Sequence, residues 1–185
     1  MKNIKIKIGG FGGQGIILAG YILGKAATIY DKKNATLTQS YGPESRGSSC
    51  SAQLIVGDEE IDYPKVIHPD ILMIMSQEAY DKFTPELVKG GLLLYDEDLS
   101  KPTNNLGKTT RIYAIPATRY AEDMGKKIVA NIIMLGFFTA ICEIIIPEAM
   151  EHAIRSSIPE GFEELNINAF RRGLECGINR IKKKK

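Results

Sequence analysis

Five glycines fall within seven residues, Gly9-Gly10-Phe11-Gly12-Gly13-Gln14-Gly15. Glycine clusters where backbone must turn sharply or approach something closely. The run follows the alternating stretch Ile4-Lys5-Ile6-Lys7-Ile8 and precedes an apolar run from Ile16 to Tyr30. Strand, glycine turn and helix start together aim amide N–H groups at one spot, which suits an anion, commonly a phosphate. Gly10, Gly12 and Gly15 satisfy G-x-G-x-x-G in that context. A dinucleotide site also needs an Asp or Glu about 20 residues on, closing the second strand. The sequence there is Thr36-Leu37-Thr38-Gln39-Ser40, and Asp31 comes too early. A P-loop fails too, because Gly24-Lys25 is followed by Ala26 and lies deep in the helix. Two readings of Gly10, Gly12, Gly13, Gln14 and Gly15 stay open: an amide-lined anion or partner contact, or close packing of strand on helix.

A second polar constellation spans Gln39 to Cys50 and includes Tyr41, Gly42, Glu44, Ser45, Arg46 and Gly47. Arg46 could take a carboxylate or phosphate bidentately. Glu44 either orients a partner group or forms a structural pair with Arg46. Ser45, Ser48 and Ser49 add small hydroxyls. Ligands of open α/β sheets gather beyond the carboxyl ends of the strands, where this loop and the glycine turn should meet. Asn131 is an amide inside an apolar helix and needs partners; it either caps a neighbouring loop or contacts a ligand. His68 precedes Pro69, His152 lies in a helical stretch, and neither has an evident metal partner, so no Ser-His-Asp arrangement can be argued.

Other chemistries are excluded on composition. Cys50, Cys142 and Cys176 are widely spaced with no C-x-x-C pair, so this chain alone houses neither an iron–sulfur cluster nor a zinc site. Such cysteine usage fits a reducing cytoplasm, and the Lys/Ile alternation at the start is no signal-peptide core. A net charge of +2 gives no footprint for nucleic acid. The closing lysines, Lys182 to Lys185, read as a solvated helix end. Ile128 to Ile146 is largely apolar but is interrupted by Asn131 and Glu143 and closed by Pro147. It reads as a buried helix breaking near Cys142, not a membrane span.

The elements that must position these residues alternate between strand and helix. With 185 residues and 44% hydrophobic content, the chain suffices for one domain over 1–185. Strands are expected at Lys5–Ile8, Ala35–Thr38, Ser48–Val56, Ile71–Met75, Gly91–Tyr95 and Arg111–Ile115. Ile71 to Met75 is apolar on both faces, as a central parallel strand should be. Gly57-Asp58 reads as a two-residue hairpin turn into Glu59–Tyr63, which would make the sheet mixed. Helices are expected at Ile16–Tyr30, buried because it is apolar nearly all round, at Gln77–Phe83, near Pro85–Val88, after Pro116, at Val129–Cys142, from Pro147 at N1 to Arg155, and from about Asn168 on. Gly20 and Gly24 lie on one face of the first helix, where close packing would explain them. The expected fold is α/β: a three-layer α/β/α sandwich with a mixed, mostly parallel sheet.

The two polar motifs together resemble those of the gamma subunit of 2-oxoacid:ferredoxin oxidoreductases. The resemblance rests on Gly10-Phe11-Gly12-Gly13-Gln14-Gly15 and on Ser40-Tyr41-Gly42-Pro43-Glu44-Ser45-Arg46-Gly47. It continues through Ile61-Asp62-Tyr63-Pro64, Ser76-Gln77-Glu78-Ala79-Tyr80 and Asn131-Ile132-Ile133-Met134-Leu135-Gly136, in order over most of the chain. Ser-Tyr-Gly-Pro-Glu is most similar to the 2-oxoglutarate branch, with branched-chain 2-oxoacid enzymes close. Where the family often reads Arg-Gly-Gly, this chain has Ser48 after Arg46-Gly47, which narrows the local backbone. The resemblance implies a non-autonomous oxidoreductase subunit, inactive alone. The whole enzyme would convert 2-oxoglutarate and coenzyme A to succinyl-CoA, using thiamine diphosphate with Mg²⁺, and pass electrons through iron–sulfur clusters to ferredoxin. No Gly-Asp-Gly stretch of the kind thiamine diphosphate needs is present, so that chemistry is expected in thiamine-binding and ferredoxin-like partner chains. No cofactor is expected to be held firmly by this chain alone, no catalytic residue is assigned to it, and the isolated chain is expected to self-associate. A scaffold without catalytic role and a free-standing nucleotide-binding protein are the other readings.

Overall fold

The computed structural model describes residues 2–41, 49–103 and 106–183. Six strands form one sheet in the order β2-β3-β1-β4-β5-β6. They are β1 (Ile4–Phe11), β2 (Asn34–Ser40), β3 (Ser49–Gly57), β4 (Ile71–Ile74), β5 (Leu92–Asp96) and β6 (Arg111–Ile115). β1, β4, β5 and β6 are parallel, and β3 runs against both of its neighbours, β1 and β2. The sheet is therefore mixed and mostly parallel, as expected, but for a different reason. Glu59–Tyr63 forms no strand. Both edges of β3 are already taken by β1 and β2, so the local Gly57-Asp58 turn has no ladder to feed.

The helices are α1 (Ile16–Lys25), α2 (Gln77–Phe83), α3 (Ala117–Asp123), α4 (Ala130–Cys142), α5 (Pro147–Arg155) and α6 (Glu163–Lys182). They cover the sheet on both faces, but unequally. Ile6, Ile8, Leu54, Met73 and Leu94 point into a large core shared with α1, α3, α4, α5 and α6. On the other face, Leu72, Ile74 and Leu93 meet only Ala79, Tyr80 and Phe83 of α2 among the fully buried residues. Lys7 alternates onto this smaller face, where it pairs with Glu86 and lies 5.0 Å from the centre of the Phe83 ring.

Several boundaries follow from local chemistry. α1 runs on into a single π turn, Ala26–Tyr30, closed by the Asp31 N–H on the Ala26 carbonyl at 2.9 Å. Gly20 of α1 lets β3 approach, since a Cβ there would lie 2.6 Å from Ala52. The helix was expected to be buried all round, yet Leu18 and Tyr21 stay exposed, because no element covers its outer side among the described residues. Pro85 falls in a 3₁₀ turn, Thr84–Glu86, not in a second helix. α6 begins at Glu163, ahead of the expected start, because Glu163 and Glu164 suit a first turn without carrying an apolar period. α4 has 11 of its 13 residues buried and ends at Cys142, with Glu143 left-handed at φ 52. It crosses α6 glycine on glycine: a Cβ on Gly136 would strike the Phe170 carbonyl, and one on Gly173 the Ile133 carbonyl. No helix among the described residues is long and apolar enough to cross a membrane.

Candidate functional site

β1 ends in a tight turn. The Gln14 N–H donates to the Phe11 carbonyl at 3.2 Å, with Gly13 at φ 99. The Gln14 side chain then stitches this turn to the sheet. Its Oε1 accepts from the Phe11 N–H at 2.7 Å, and its Nε2 donates to the Met75 carbonyl, just past β4, at 2.8 Å. A Cβ at Gly10 would collide with the Gln14 amide at 2.5 Å. Gly15 caps α1 in the left-handed conformation, φ 73, and offers no side-chain cap; the first turn of α1 holds no acidic residue. α2 differs, because Ser76 Oγ caps it from within by accepting from the Ala79 N–H at 3.2 Å.

Asn131 belongs to this turn as well. Its Nδ2 donates to the Gly15 carbonyl at 3.1 Å, and its Oδ1 accepts from the Ile132 N–H at 2.9 Å. A Cβ on Gly15 would lie inside the Asn131 amide. Asn131 thus ties the start of α4 to the start of α1.

Beyond the carboxyl ends of β1 and β4 lies a cleft of about 470 Å³. Gly13 and Gln14 form one wall, Met75 and Ala130 stand behind them, and Leu99, Thr118 and Ile128 complete it. Lys127 is the cation among the lining residues; it is largely exposed and reaches Glu122 at 2.7 Å. This is the switch point of the sheet, since the chain leaves β1 for β2 on one side and reaches β4 on the other. The cleft therefore combines apolar walls, the backbone of the glycine turn just ahead of α1, and one cation paired with Glu122.

Asp96, at the end of β5, supports the far wall. It is fully buried and accepts from the Thr118 N–H (3.0 Å), the Thr118 hydroxyl (2.6 Å) and the Asp98 N–H (3.1 Å). Burial pushes its carboxyl above the ordinary range, and these hydrogen bonds only partly oppose that. The Asp96 carboxylate so caps α3 from outside and fixes Thr118 at the cleft.

Gly10, Gly12, Gly13, Gln14, Gly15 and Asn131 are gathered in one place. Tyr41 stands apart, exposed at the end of β2, its hydroxyl donating to Gln39 Oε1 at 2.7 Å. Gly42, Glu44, Ser45, Arg46 and Gly47 lie outside the described residues. The next described residue, Ser49, pairs with Phe11, so the flanks of the two motifs meet at one edge of the sheet. Sequence reasoning missed Asp96, Thr118 and Lys127, having read 96–108 as a polar loop. One signal was available: an Asp directly closing the apolar run Leu92-Leu93-Leu94-Tyr95.

Comparison with known proteins accords with this geometry. The family profile described as pyruvate ferredoxin/flavodoxin oxidoreductase matches residues 5–176. The chain is 51% identical over 172 residues to the 2-oxoglutarate synthase subunit KorC of Methanocaldococcus jannaschii, covering 92% of each. It is 47% identical over 176 residues to KorC of Methanothermobacter marburgensis, covering 92% of this chain and 95% of that one. Among solved structures, a keto/oxoacid ferredoxin oxidoreductase gamma subunit from Geobacter sulfurreducens PCA superposes with a TM-score of 0.88 at 39% identity, covering 97% and 98% of the two chains. Fold, glycine turn and matched length agree, and the chain belongs to the pyruvate ferredoxin/flavodoxin oxidoreductase family.

Proposed function

We propose that this chain is the gamma subunit of a 2-oxoglutarate:ferredoxin oxidoreductase, which oxidatively decarboxylates 2-oxoglutarate to succinyl-CoA and passes the electrons to ferredoxin. The observation that carries the substrate is the 51% identity to a 2-oxoglutarate synthase subunit over nearly the whole of both chains. The chain works as one domain, 1–185, of a larger cytoplasmic assembly. The residues described do not fit the redox groups: Cys50, Cys142 and Cys176 lie on β3, α4 and α6, and no group of three His, Cys, Asp or Glu side chains sits together among them. Thiamine diphosphate and the clusters therefore belong to partner chains.

Coenzyme A fits better as the molecule this chain helps to receive. A phosphate is favoured at the start of α1, which has no side-chain cap and where Gly13 faces open space. Lys127 supplies a cation, and the Met75, Leu99 and Ile128 wall suits an alkyl arm. Arg46 is assigned as a second anion partner on the chemistry of its guanidinium, and Tyr41, Gly42, Glu44, Ser45 and Gly47 are assigned to the same contact as members of its motif. Gln14 and Asn131 hold the turn in shape.

The test is reconstitution with the partner subunits and assay of ferredoxin reduction with 2-oxoglutarate, pyruvate and 3-methyl-2-oxobutanoate. The expected preference is for 2-oxoglutarate. Arg46→Ala and Lys127→Ala should each raise the KM for coenzyme A about tenfold, the effect of losing one charged hydrogen bond. An unchanged KM in both variants removes these residues from the site. A preference for the branched acid moves the enzyme to that branch.

A further inference from the structure

Ser76-Gln77-Glu78-Ala79-Tyr80 is a motif that the cleft does not absorb, since none of these residues lines it. Four of the five have evident tasks in the fold. Ser76 caps α2, Ala79 and Tyr80 are buried on the smaller face of the sheet, and Glu78 accepts from the Ser49 N–H. Gln77 is different, because both ends of its amide go to a segment without regular structure. Its Oε1 accepts from the Lys101 N–H at 2.7 Å. Its Nε2 donates to the Lys101 carbonyl at 3.2 Å and to Asp81 Oδ1 at 3.1 Å. The side chain thus pairs with the N–H and C=O of one residue, as a neighbouring strand would. Asp81, one turn on, extends the tie by accepting from the Thr103 hydroxyl at 2.9 Å.

The segment needs such a tie. Among the described residues no strand or helix stands between β5 and β6. The turn after β5 is closed by the Leu99 and Ser100 N–H groups on the Asp96 carbonyl, at 3.2 and 2.9 Å. It also buries the Ser100 hydroxyl without a partner, which favours opening to water. Gln77 takes hold at the next residue, and Leu99, which this turn gives to the cleft, lies just before Ser100. The glycine-turn wall is fixed in the same manner, by the Gln14 amide on the Met75 carbonyl. A glutamine amide on either side of the β4 end therefore sets how far Leu99 stands from Gly13 and Gln14. We infer, on the reading of the cleft as a coenzyme A site, that Gln77 is a positioning residue: it holds the Leu99 wall at the width of an alkyl arm. Contacts to the arm are made alike before and during reaction, so their loss weakens binding and leaves the chemical step alone.

Gln77→Met keeps the length and helix preference of the side chain and loses all three bonds. In the complex reconstituted with the partner subunits it should raise the KM for coenzyme A about tenfold. The kcat and the KM for 2-oxoglutarate should hold, and Tm should fall by only a few degrees. The wall itself can be read without coenzyme A. The chain has no tryptophan, so Leu99→Trp places a single fluorophore at the cleft of the full chain. Adding Gln77→Met to it should shift the emission to the red and raise quenching by acrylamide. An unmoved tryptophan signal overturns the proposal, since Gln77 then does not hold the wall. So does an unchanged KM for coenzyme A, and Lys127→Ala tells what fails with it. A raised KM in that variant keeps the coenzyme A site and removes Gln77 alone; an unchanged one takes the coenzyme A reading of the cleft down as well. A fall in kcat, or a rise in both KM values, also overturns it, because Gln77 then serves the fold as a whole and not the wall.

Discussion

Gly15 meets two demands that no other residue meets together. Its backbone is left-handed at φ 73, and the Asn131 amide occupies the space where a Cβ would go. Gly15→Ala should therefore cost about 1–2 kcal/mol for the backbone and a further 1–3 kcal/mol or so for overpacking. The two contributions can be separated. Asn131→Ala loses its bond to the Gly15 carbonyl but opens the space. In the double variant the Cβ fits, so beyond the loss due to Asn131→Ala itself only the backbone cost should remain. Urea unfolding of the two single variants and the double gives the coupling, expected at about 1–3 kcal/mol in favour of the double. If the three values add to within about 0.5 kcal/mol, Asn131 does not hold Gly15 in the way the hydrogen bond implies. The G-x-G-x-x-G pattern alone left packing and anion contact open. The structure puts Gly10 and Gly15 in close packing and leaves Gly13 facing open space, so neighbouring glycines in one motif do different work.

At the scale of elements, Asp96 shows how a strand end sets a helix start. It holds the N–H and hydroxyl of Thr118 in the first turn of α3, and α3 brings Thr118 to the cleft. Burial raises its carboxyl pKa in the folded chain. Above the unfolded value, about 4, the native state then binds the proton more tightly than the unfolded state. Its contribution to stability is full below that value and is lost as pH rises through the raised native one. Asp96→Asn lacks the titration. The wild type should therefore lose ground to Asp96→Asn between pH 4 and pH 7, whatever constant offset the amide introduces. Urea midpoints at both pH values check this, and a gap that stays constant or shifts the other way rejects it. Much of this level was legible in the sequence. The both-face apolar run at Ile71, the apolar stretch closing at Cys142 and Pro147 at N1 each carry a local cause, and each element stands where that cause puts it. Failures came where distant pairing decides. Gly57-Asp58 has good hairpin chemistry, but β3 is claimed by β1 and β2, and nothing near Gly57 reveals that. Asp96 was missed for the same reason: the partner that matters to the cleft, Thr118, lies on a helix 22 residues on.

The whole molecule is lopsided, and its dynamics should be too. α4 buries 11 of 13 residues between the sheet and α6, whereas α2 buries three of seven as the main cover of the opposite face. Less buried apolar area means a lower free energy for local opening. α2 also carries the ties that shape the cleft's rim. Gln77 Oε1 accepts from the Lys101 N–H at 2.7 Å, which holds the segment bearing Leu99. Glu78 accepts from the Ser49 N–H at 3.3 Å, and Lys82 donates to the Ser49 hydroxyl at 3.0 Å, which fixes the entry into β3 beside the glycine turn. If α2 lifts, both rims loosen together while the α4–α6 layer stays closed. Native-state hydrogen exchange should therefore show the amides of α2 and Lys101 opening as one unit, a few kcal/mol below the global limit that α4 and the central strands report. Amides of α2 that exchange only at the global limit would mean that the two faces of the sheet unfold as a single body. The cleft would then have no rim able to move independently of the core, and a reactant would have to enter it through a rigid mouth.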